Sequence, residues 1–307
     1  MLGPVGKLAN RVLTGRMGYE IYRPTRHERA LMRSPWEDWF SRNPELFANI
    51  YQGNRTTLSS VPSWIDPASL PNSLWRYGVP EQWERGRLGL GRTGLNEIEP
   101  EVTYTDLIAF IASYIEPLSY FEIGVSVGKN FLQVVEPFPD ADLVGLDIED
   151  INPALASRFD RIETVFRSEY AYPVESLTGR AEVHLTEYRL HRRNGRPVTY
   201  IKGDQYNTDT WALLRGRRFN LIFSDGVHSP RALRDEYRQL AANELLDLSG
   251  RFAIYWDDLV DIGMQDAFNE IALRLPGWHG LHWIHGTYGQ KRLNGLKANF
   301  TPYHSEV

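Results

Sequence analysis

Apolar and polar residues follow a regular pattern from residue 105 onward. This pattern predicts a helix at 105–115, a strand at 120–123, a helix after Gly128 and a strand at 141–147. Further along the chain it predicts strands at 198–201, 219–223 and 251–256, and helices around 208–214 and 230–246. Because strands and helices alternate, we expect an α/β fold whose parallel sheet carries helices on both faces.

Two segments depart from this alternation. Apolar runs at 280–285 and 295–300, joined by a turn region at 286–294, predict a closing antiparallel hairpin. The segment 152–196 is longer than one crossover helix needs, and its residues 181–188 alternate as an exposed strand would. We therefore expect an insertion at about 155–197 within a domain that spans 101–307.

Residues 1–100 lack this periodicity and are predicted to form an N-terminal extension of short helices and loops. They hold five of the nine tryptophans, among many Pro, Gly and Arg residues. Such an extension would pack on the main domain through its aromatic side chains. It is also a candidate lid, or a contact in a homo-oligomer, that shapes the pocket for an acceptor.

Composition limits the class of protein. A length of 307 residues allows at most two compact units. A net charge of −5 and a pI near 5.9 argue against a nucleic-acid partner. The absence of Cys excludes disulfides and zinc-thiolate sites and fits a reducing cytoplasm. No signal-peptide core opens the chain and no apolar run approaches about eighteen residues, so we expect a cytoplasmic protein without a membrane partner.

A turn of small residues follows the first predicted strand. In the pattern Glu122-x-Gly124-x-Ser126-x-Gly128, the small residues let the backbone leave a strand and enter a helix while a bulky cofactor lies against it. Asp147 ends the next strand about twenty residues on, where a carboxylate can accept both hydroxyls of a ribose. The two features together predict a pocket for a nucleoside cofactor.

The turn lacks the third glycine of the dinucleotide fingerprint and resembles motif I of the class I S-adenosylmethionine-dependent methyltransferases. In that family the turn holds the methionine moiety, the acid after the second strand holds the ribose, and a Gly–Asp pair after the third strand lies beside the adenine. Gly203-Asp204 occupies that third position and favours S-adenosylmethionine over NAD. The resemblance implies a Rossmann-like sheet with a C-terminal antiparallel hairpin. It also implies cofactor-binding roles for Glu122, Gly124, Ser126, Gly128, Asp147, Gly203 and Asp204.

Acidic residues end two later strands. Asp225 follows the strand at 219–223, with His228 in the next turn, and Asp257-Asp258 follows the strand at 251–256. Because the carboxyl ends of parallel strands open on one edge, these carboxylates can converge there. Mg²⁺ prefers such oxygen ligands. The alternative for each Asp is a helix N-cap or a turn residue.

The spacing Asp225-x-x-His228 with Asp257-Asp258 is similar to that of the macrocin-type, metal-dependent sugar O-methyltransferases, and more loosely to the catechol type. In those families the first Asp and the later acidic pair bind Mg²⁺, and the His is the general base. The resemblance implies that Asp225, Asp257 and Asp258 hold Mg²⁺ and that His228 is catalytic. It implies methylation of a hydroxyl of a sugar, a polysaccharide unit or a glycosylated natural product.

Alternatives to this function remain open. The chain could be a metal-independent methyltransferase of small molecules, or a cofactor-binding or hydroxylase-like relative without methyl transfer, in which the acidic cluster is structural. His228 could then be a turn residue or a partner of a ligand. His279, His282 and His285 recur at intervals of three without an accompanying carboxylate, and we expect structural or surface roles for them.

Overall fold

The computed structural model describes residues 35–60, 101–176, 179–286 and 291–301. The chain divides into two compact units, Met1–Asp38 and Trp39–Val307, and the sheet belongs to the second. Most of the predicted extension lies outside the described residues, including Trp64, Trp75 and Trp83. Its proposed roles as a lid or an oligomer contact, and the predicted boundary near residue 100, stay predictions.

The described elements alternate in the order that the sequence pattern predicts. The helices are α1 (Pro35–Arg42), α2 (Pro44–Ser60), α3 (Tyr104–Ala112), α4 (Lys129–Val135), α5 (Pro153–Ala156), α6 (Thr208–Ala212), α7 (Pro230–Ala242) and α8 (Ile262–Ala272). The strands are β1 (Ser119–Ile123), β2 (Asp142–Asp147), β3 (Arg161–Ser176), β4 (Gly179–His191), β5 (Val198–Lys202), β6 (Leu221–Ser224), β7 (Ala253–Trp256), β8 (Trp278–His285) and β9 (Lys291–Ala298).

The strands form one sheet in the order β3-β4-β5-β2-β1-β6-β7-β9-β8. The five strands from β5 to β7 are parallel, and the pairs on both sides of them are antiparallel. The predicted fold class is therefore confirmed: a Rossmann-like α/β sheet that closes in a C-terminal antiparallel hairpin. From β1 the chain first adds β2 and β5 on one side and then β6 and β7 on the other. α/β sheets bind ligands at the point where the strand order reverses in this way.

Helices cover both faces of the parallel strands, whose residues are apolar without alternation, as burial on both faces requires. On one face α2, α3 and α4 contact one another, and Tyr104 and Phe131 pack on aromatic side chains of the strands. On the other face Trp211 of α6, Leu233 of α7 and Phe268 of α8 join one buried cluster with the sheet. The sheet thus forms the middle layer of three.

A long antiparallel ribbon of β3 and β4 extends the sheet beyond β5. It includes the strand that the sequence predicts at 181–188, but this strand is not exposed as expected, because Val183, Leu185 and Thr186 are buried. Strand β4 lies between β3 and β5 and pairs with β5 from Thr186 to Leu190. Irregularities between Thr164 and Phe166 and between Arg167 and Ala171 interrupt the pairing of β3 with β4. Such bulges increase the local twist of an edge strand.

Some predicted boundaries were wrong. The helix predicted to reach residue 246 ends at Ala242. Glu244 has a left-handed backbone conformation with φ 53°, which is incompatible with a right-handed helix. The turn region predicted at 286–294 is also too long, since β9 begins at Lys291 and pairs with β8 from there. Within the described part of the chain, no helix has both the length and the apolar character needed to cross a bilayer.

Candidate functional site

Five parallel strands end side by side. Ile123 of β1 pairs with Leu146 of β2 and with Ser224 of β6. Leu146 in turn pairs with Ile201 of β5, and Ser224 pairs with Trp256 of β7. One row at the carboxyl edge therefore holds the residues that follow these positions: Gly124, Asp147, Lys202, Asp225 and Asp257. The two halves of the predicted site, one for a cofactor and one for a cation, thus meet at one edge.

The turn after β1 depends on Gly124 for a close backbone approach. Gly124 has φ +88°, and a Cβ there would lie 2.2 Å from the carbonyl oxygen of Asp225. Ser126 also takes a left-handed conformation, with φ 54°. The sequence interpretation attributed the small residues to room for a cofactor. The structure adds a second cause, which is the contact between the ends of β1 and β6.

Asp147 ties the glycine turn to the end of β2. Its Oδ2 accepts the backbone N–H of Ser126 at 2.7 Å, and its Oδ1 accepts that of Glu149 at 2.9 Å. Burial raises the pKa of Asp147, while these backbone hydrogen bonds lower it. Its role in binding ribose hydroxyls stays a prediction.

The pair after β5 lies beside Asp147. The backbone N–H of Gly203 donates to the carbonyl oxygen of Asp147 at 2.8 Å. The carboxylate of Asp204 accepts the backbone N–H of Tyr206 at 2.9 Å, which fixes the turn that enters α6. The predicted ribose and adenine positions are therefore neighbours.

Glu122 is enclosed by protein. Its side chain is fully buried, and the hydroxyl of Tyr120 donates to its Oε2 at 2.5 Å. Its Oε1 has no hydrogen-bond partner among the described residues. Burial, and to a smaller extent the charges of Asp225 and Asp147, raise the pKa of Glu122 well above its ordinary value. Its cofactor-binding role stays a prediction.

Asp225, His228 and Asp257 form a group that could hold a metal ion. Each offers one ligand atom, and these three atoms lie within 4.8 Å of one another. Asp257 is only 3% exposed, and its Oδ1 has no hydrogen-bond partner in the described part of the chain. Burial, and then the nearby charge of Asp225, raise the pKa of Asp257 well above its ordinary value. A bound cation would relieve both costs, so the residues fit the group that the sequence predicts.

The ring of His228 lies between two carboxylates. Its Nε2 is 3.1 Å from Oδ1 of Asp225, and its Nδ1 is 3.4 Å from Oδ2 of Asp258. Burial lowers the pKa of His228, but the hydrogen bonds to both carboxylates outweigh burial and raise the pKa to about 10. Without a cation the ring is therefore protonated at neutral pH. A general base must be neutral, so the predicted base role stays a prediction.

Asp258 lies on the outer side of His228, away from the close group. It has φ 60°, and its backbone N–H donates to Oδ1 of Asn294 at 3.1 Å. Its carboxylate accepts a hydrogen bond from Nη1 of Arg292 at 2.6 Å. The structure thus brings Asp225 and Asp257 together, whereas Asp258, the third predicted ligand, pairs with the guanidinium of Arg292.

Arg292 and Asn294 of β9 are site residues that the sequence interpretation missed. Besides Asp258, Arg292 reaches Asp257, with Nη1 3.7 Å from Oδ2. Burial lowers the pKa of Arg292, but Asp257 and Asp258 raise it above its already high value. Both residues lay in the segment predicted as a turn. Only the pairing of β9 with β7, which joins Gly295 to Trp256, brings them to the acidic edge.

A buried polar chain continues from Asn294. Its amide Nδ2 donates to the hydroxyl oxygen of Tyr255 at 2.9 Å, and that hydroxyl lies 2.8 Å from Nε2 of His282. Burial lowers the pKa of His282 to about 3, so its ring is neutral at physiological pH. His282 therefore has the structural role that the sequence predicts for it.

Comparisons with known proteins find likeness only in structure. No protein-family model and no curated protein sequence matches the chain. The O-methyltransferase TomG from Streptomyces achromogenes, solved with SAM, overlaps 64% of this chain and 79% of its own at 18% identity and a TM-score of 0.43. Rv0187 from MTB, solved with its cofactor, overlaps 83% and 89% at 13% identity and 0.41. An O-methyltransferase from Bacillus cereus, solved with SAH, overlaps 73% and 91% at 12% identity and 0.37. TM-scores this low establish neither the family nor the activity of this chain.

Proposed function

We propose that this protein is an S-adenosylmethionine-dependent O-methyltransferase that acts, with a divalent cation such as Mg²⁺, on a hydroxyl of a sugar, a polysaccharide unit or a glycosylated natural product. The observation that carries the proposal is the row of strand ends. It sets the glycine turn and Asp147 beside Asp225 and Asp257. A methyl donor and an activated hydroxyl have to lie side by side for transfer to occur.

The cofactor half of the site has the residues that the proposal needs. The turn from Gly124 to Gly128 would hold the methionine moiety, and Asp147 would accept the ribose hydroxyls. Gly203-Asp204 would lie beside the adenine. Support for this arrangement comes from the backbone hydrogen bonds that join Asp147 to Ser126 and to Gly203.

In the cation half, Asp225 and Asp257 are the proposed ligands of the cation. S-adenosylmethionine supplies an activated methyl group, and a divalent cation lowers the pKa of a hydroxyl beside it. The protein's part is to orient the acceptor hydroxyl toward the methyl group and to take up its proton at this edge. The saccharide class of the acceptor rests on the resemblance of the Asp225-x-x-His228 and Asp257-Asp258 pattern alone.

A metal-independent methyltransferase is the second candidate, and one observation favours it. Arg292 and the protonated His228 already place two positive charges among three carboxylates. These two positive charges offset part of the negative charge of the carboxylates. The cluster therefore depends less on a divalent cation for charge balance than three unpaired carboxylates would.

Transfer of a labelled methyl group tests the proposal. The protein would be treated with a chelator, and then incubated with methyl-labelled S-adenosylmethionine and a panel of free sugars, nucleotide-linked sugars and polysaccharide fragments, with and without Mg²⁺. We expect label in an acceptor only when Mg²⁺ is restored. Label that appears equally in chelator would favour the metal-independent candidate. A protein that hydrolyses or ignores the cofactor in every mixture would count against methyl transfer.

A further inference from the structure

We infer that the bound cation is held by Asp225, Asp257 and the Nε2 of His228, and that Asp258 orients the His228 ring instead of binding the ion. This inference rests on the cation proposed above. It differs from the ligand set that the sequence resemblance implies, in which Asp258 is a ligand and His228 is a base.

The positions of the three ligand atoms support this set. They lie within 4.8 Å of one another, and a six-coordinate ion with bonds of about 2.1 Å separates opposite ligand atoms by roughly 4.2 Å and adjacent ones by roughly 3.0 Å. Movements of the three side chains toward one another would therefore bring all three atoms onto one ion. The Nε2 of His228 already faces the carboxylate of Asp225 at 3.1 Å, on the side of the ring where the ion would lie.

The buried carboxylate of Asp257 provides independent support for a ligand at this point. Its side chain is 2% exposed, and its Oδ1 has no hydrogen-bond partner within the described ranges. A buried carboxylate oxygen without a donor is costly unless a cation or a donor satisfies it. A cation bound among the three ligand atoms would satisfy this carboxylate oxygen.

Asp258 has the geometry of a residue that positions a ligand. It faces the other ring nitrogen of His228, Nδ1, at 3.4 Å. A carboxylate at this position can accept the Nδ1–H when Nε2 binds the metal, and such a contact would fix the orientation of the ring. Ligating histidines in metal sites have such partners as a rule.

Two residues of β9 keep Asp258 in that place. Arg292 donates to its carboxylate at 2.6 Å, and Asn294 accepts its backbone N–H at 3.1 Å. To bind the ion through Oδ2, Asp258 would have to leave a guanidinium that is only 31% exposed. Leaving a largely buried charge without its partner is unfavourable. Because Arg292 lies closer to Asp258, at 2.6 Å, than to Asp257, at 3.7 Å, it offsets mainly the charge of Asp258 and leaves Asp225 and Asp257 for a divalent ion.

Pulsed electron paramagnetic resonance of the full chain with Mn²⁺ tests the assignment, because it detects nitrogen bound directly to the metal. We expect a ¹⁴N coupling in the wild type and in Asp258→Asn, and none in His228→Ala. Mn²⁺ affinity should fall about 10- to 100-fold in Asp258→Asn, as for other residues that orient a ligand. It should fall further in His228→Ala and be lost in Asp257→Asn. His279→Ala, a histidine of β8 outside the group, is the matched control and should change neither readout.

Two results would overturn the inference. One is bound Mn²⁺ without any ¹⁴N coupling in the wild type. The other is a reversed order, in which Asp258→Asn abolishes Mn²⁺ binding and His228→Ala leaves it intact. A titration of S-adenosylmethionine on the same samples separates these failures from a failure of the proposed function. Cofactor binding without nitrogen coupling sinks only the ligand assignment, whereas absent cofactor binding sinks the methyltransferase proposal.

Discussion

At the scale of single residues, the fold shifts the charge state of groups that the sequence shows only as acids and bases. Glu236 of α7 is 2% exposed, and the hydroxyl of Ser224 donates to its Oε2 at 2.6 Å. Burial raises its pKa to about 7, against the lowering effect of Ser224. No pattern in the sequence singled out Glu236, because its burial results from the packing of α7 on β6.

The raised pKa of Glu236 makes stability depend on pH. A carboxyl group whose pKa rises from 4.5 to about 7 on folding contributes its full stability below pH 4.5 and loses it as pH rises through 7. Since one pKa unit corresponds to about 1.4 kcal/mol, the loss between pH 4.5 and 8 is up to about 3 kcal/mol. We expect Glu236→Gln to remove this loss, as measured by urea unfolding at several pH values. The exposed Glu169→Gln is the control, and parallel profiles for Glu236→Gln and wild type would contradict the burial account.

Gly124 offers a second test at this scale. In Gly124→Ala the new Cβ would meet the carbonyl oxygen of Asp225 at 2.2 Å, at a φ that costs a non-glycine residue about 1–2 kcal/mol. We expect a loss of at least about 2 kcal/mol in the free energy of unfolding and weakened binding of S-adenosylmethionine. Gly250→Ala is the matched control, because apart from its two chain neighbours no atom of the described residues lies within 4 Å of its Cβ position. Equal behaviour of the two variants would refute the role of the close approach.

At the scale of elements, α3 owes its position to one buried carboxylate. Asp106 closes a capping box with Thr103 at the start of α3 and accepts the backbone N–H of Thr103 at 2.8 Å. It also accepts from Asn54 at 2.8 Å and from Arg55 at 2.9 Å, both in α2. The same side chain thus starts one helix and attaches another.

We expect Asp106→Asn to destabilise the protein by about 2–4 kcal/mol. The amide cannot match the carboxylate toward the cap and Arg55 at once, and it leaves a largely buried guanidinium without its counter-ion. Denaturant unfolding measures the change, and the exposed Asp266→Asn is the control, expected within about 0.5 kcal/mol of wild type. If Asp106→Asn also changed the free energy of unfolding by less than about 0.5 kcal/mol, α2 and α3 would be held together mainly by apolar contacts.

The elements also show how far sequence reasoning reaches. The parallel strands were predictable because their apolar runs end in Gly or Asp, and burial on both faces explains those runs. The start of β9 was not predictable, because Lys291 and Arg292 are polar and their strand conformation comes from pairing with β8. Because Arg292 lies in β9 and not in a turn, it pairs with Asp258. The acidic edge therefore contains a positive side chain that the sequence interpretation did not include.

At the scale of the whole molecule, the site is assembled from six strands, β5, β2, β1, β6, β7 and β9, which come from distant parts of the sequence. The alternation of helix and strand predicted a parallel sheet, and spacing predicted that the glycine turn and Asp147 form one pocket. The place of Gly203-Asp204 in that pocket came from the resemblance to the methyltransferases. Sequence spacing could not show which nitrogen of the His228 imidazole each carboxylate faces. The structure places Asp225 at Nε2 and Asp258 at Nδ1, and the strand order β6-β7-β9 brings Arg292 and Asn294 to Asp258.

Calorimetric titration of the full chain with S-adenosylmethionine is the decisive test of the cofactor site. We expect saturable binding of one molecule per chain, which Gly124→Ala weakens and Gly250→Ala retains. Added S-adenosylhomocysteine should compete for the same site. Absence of binding to the folded wild type, both with Mg²⁺ and after chelation, would contradict the proposed function.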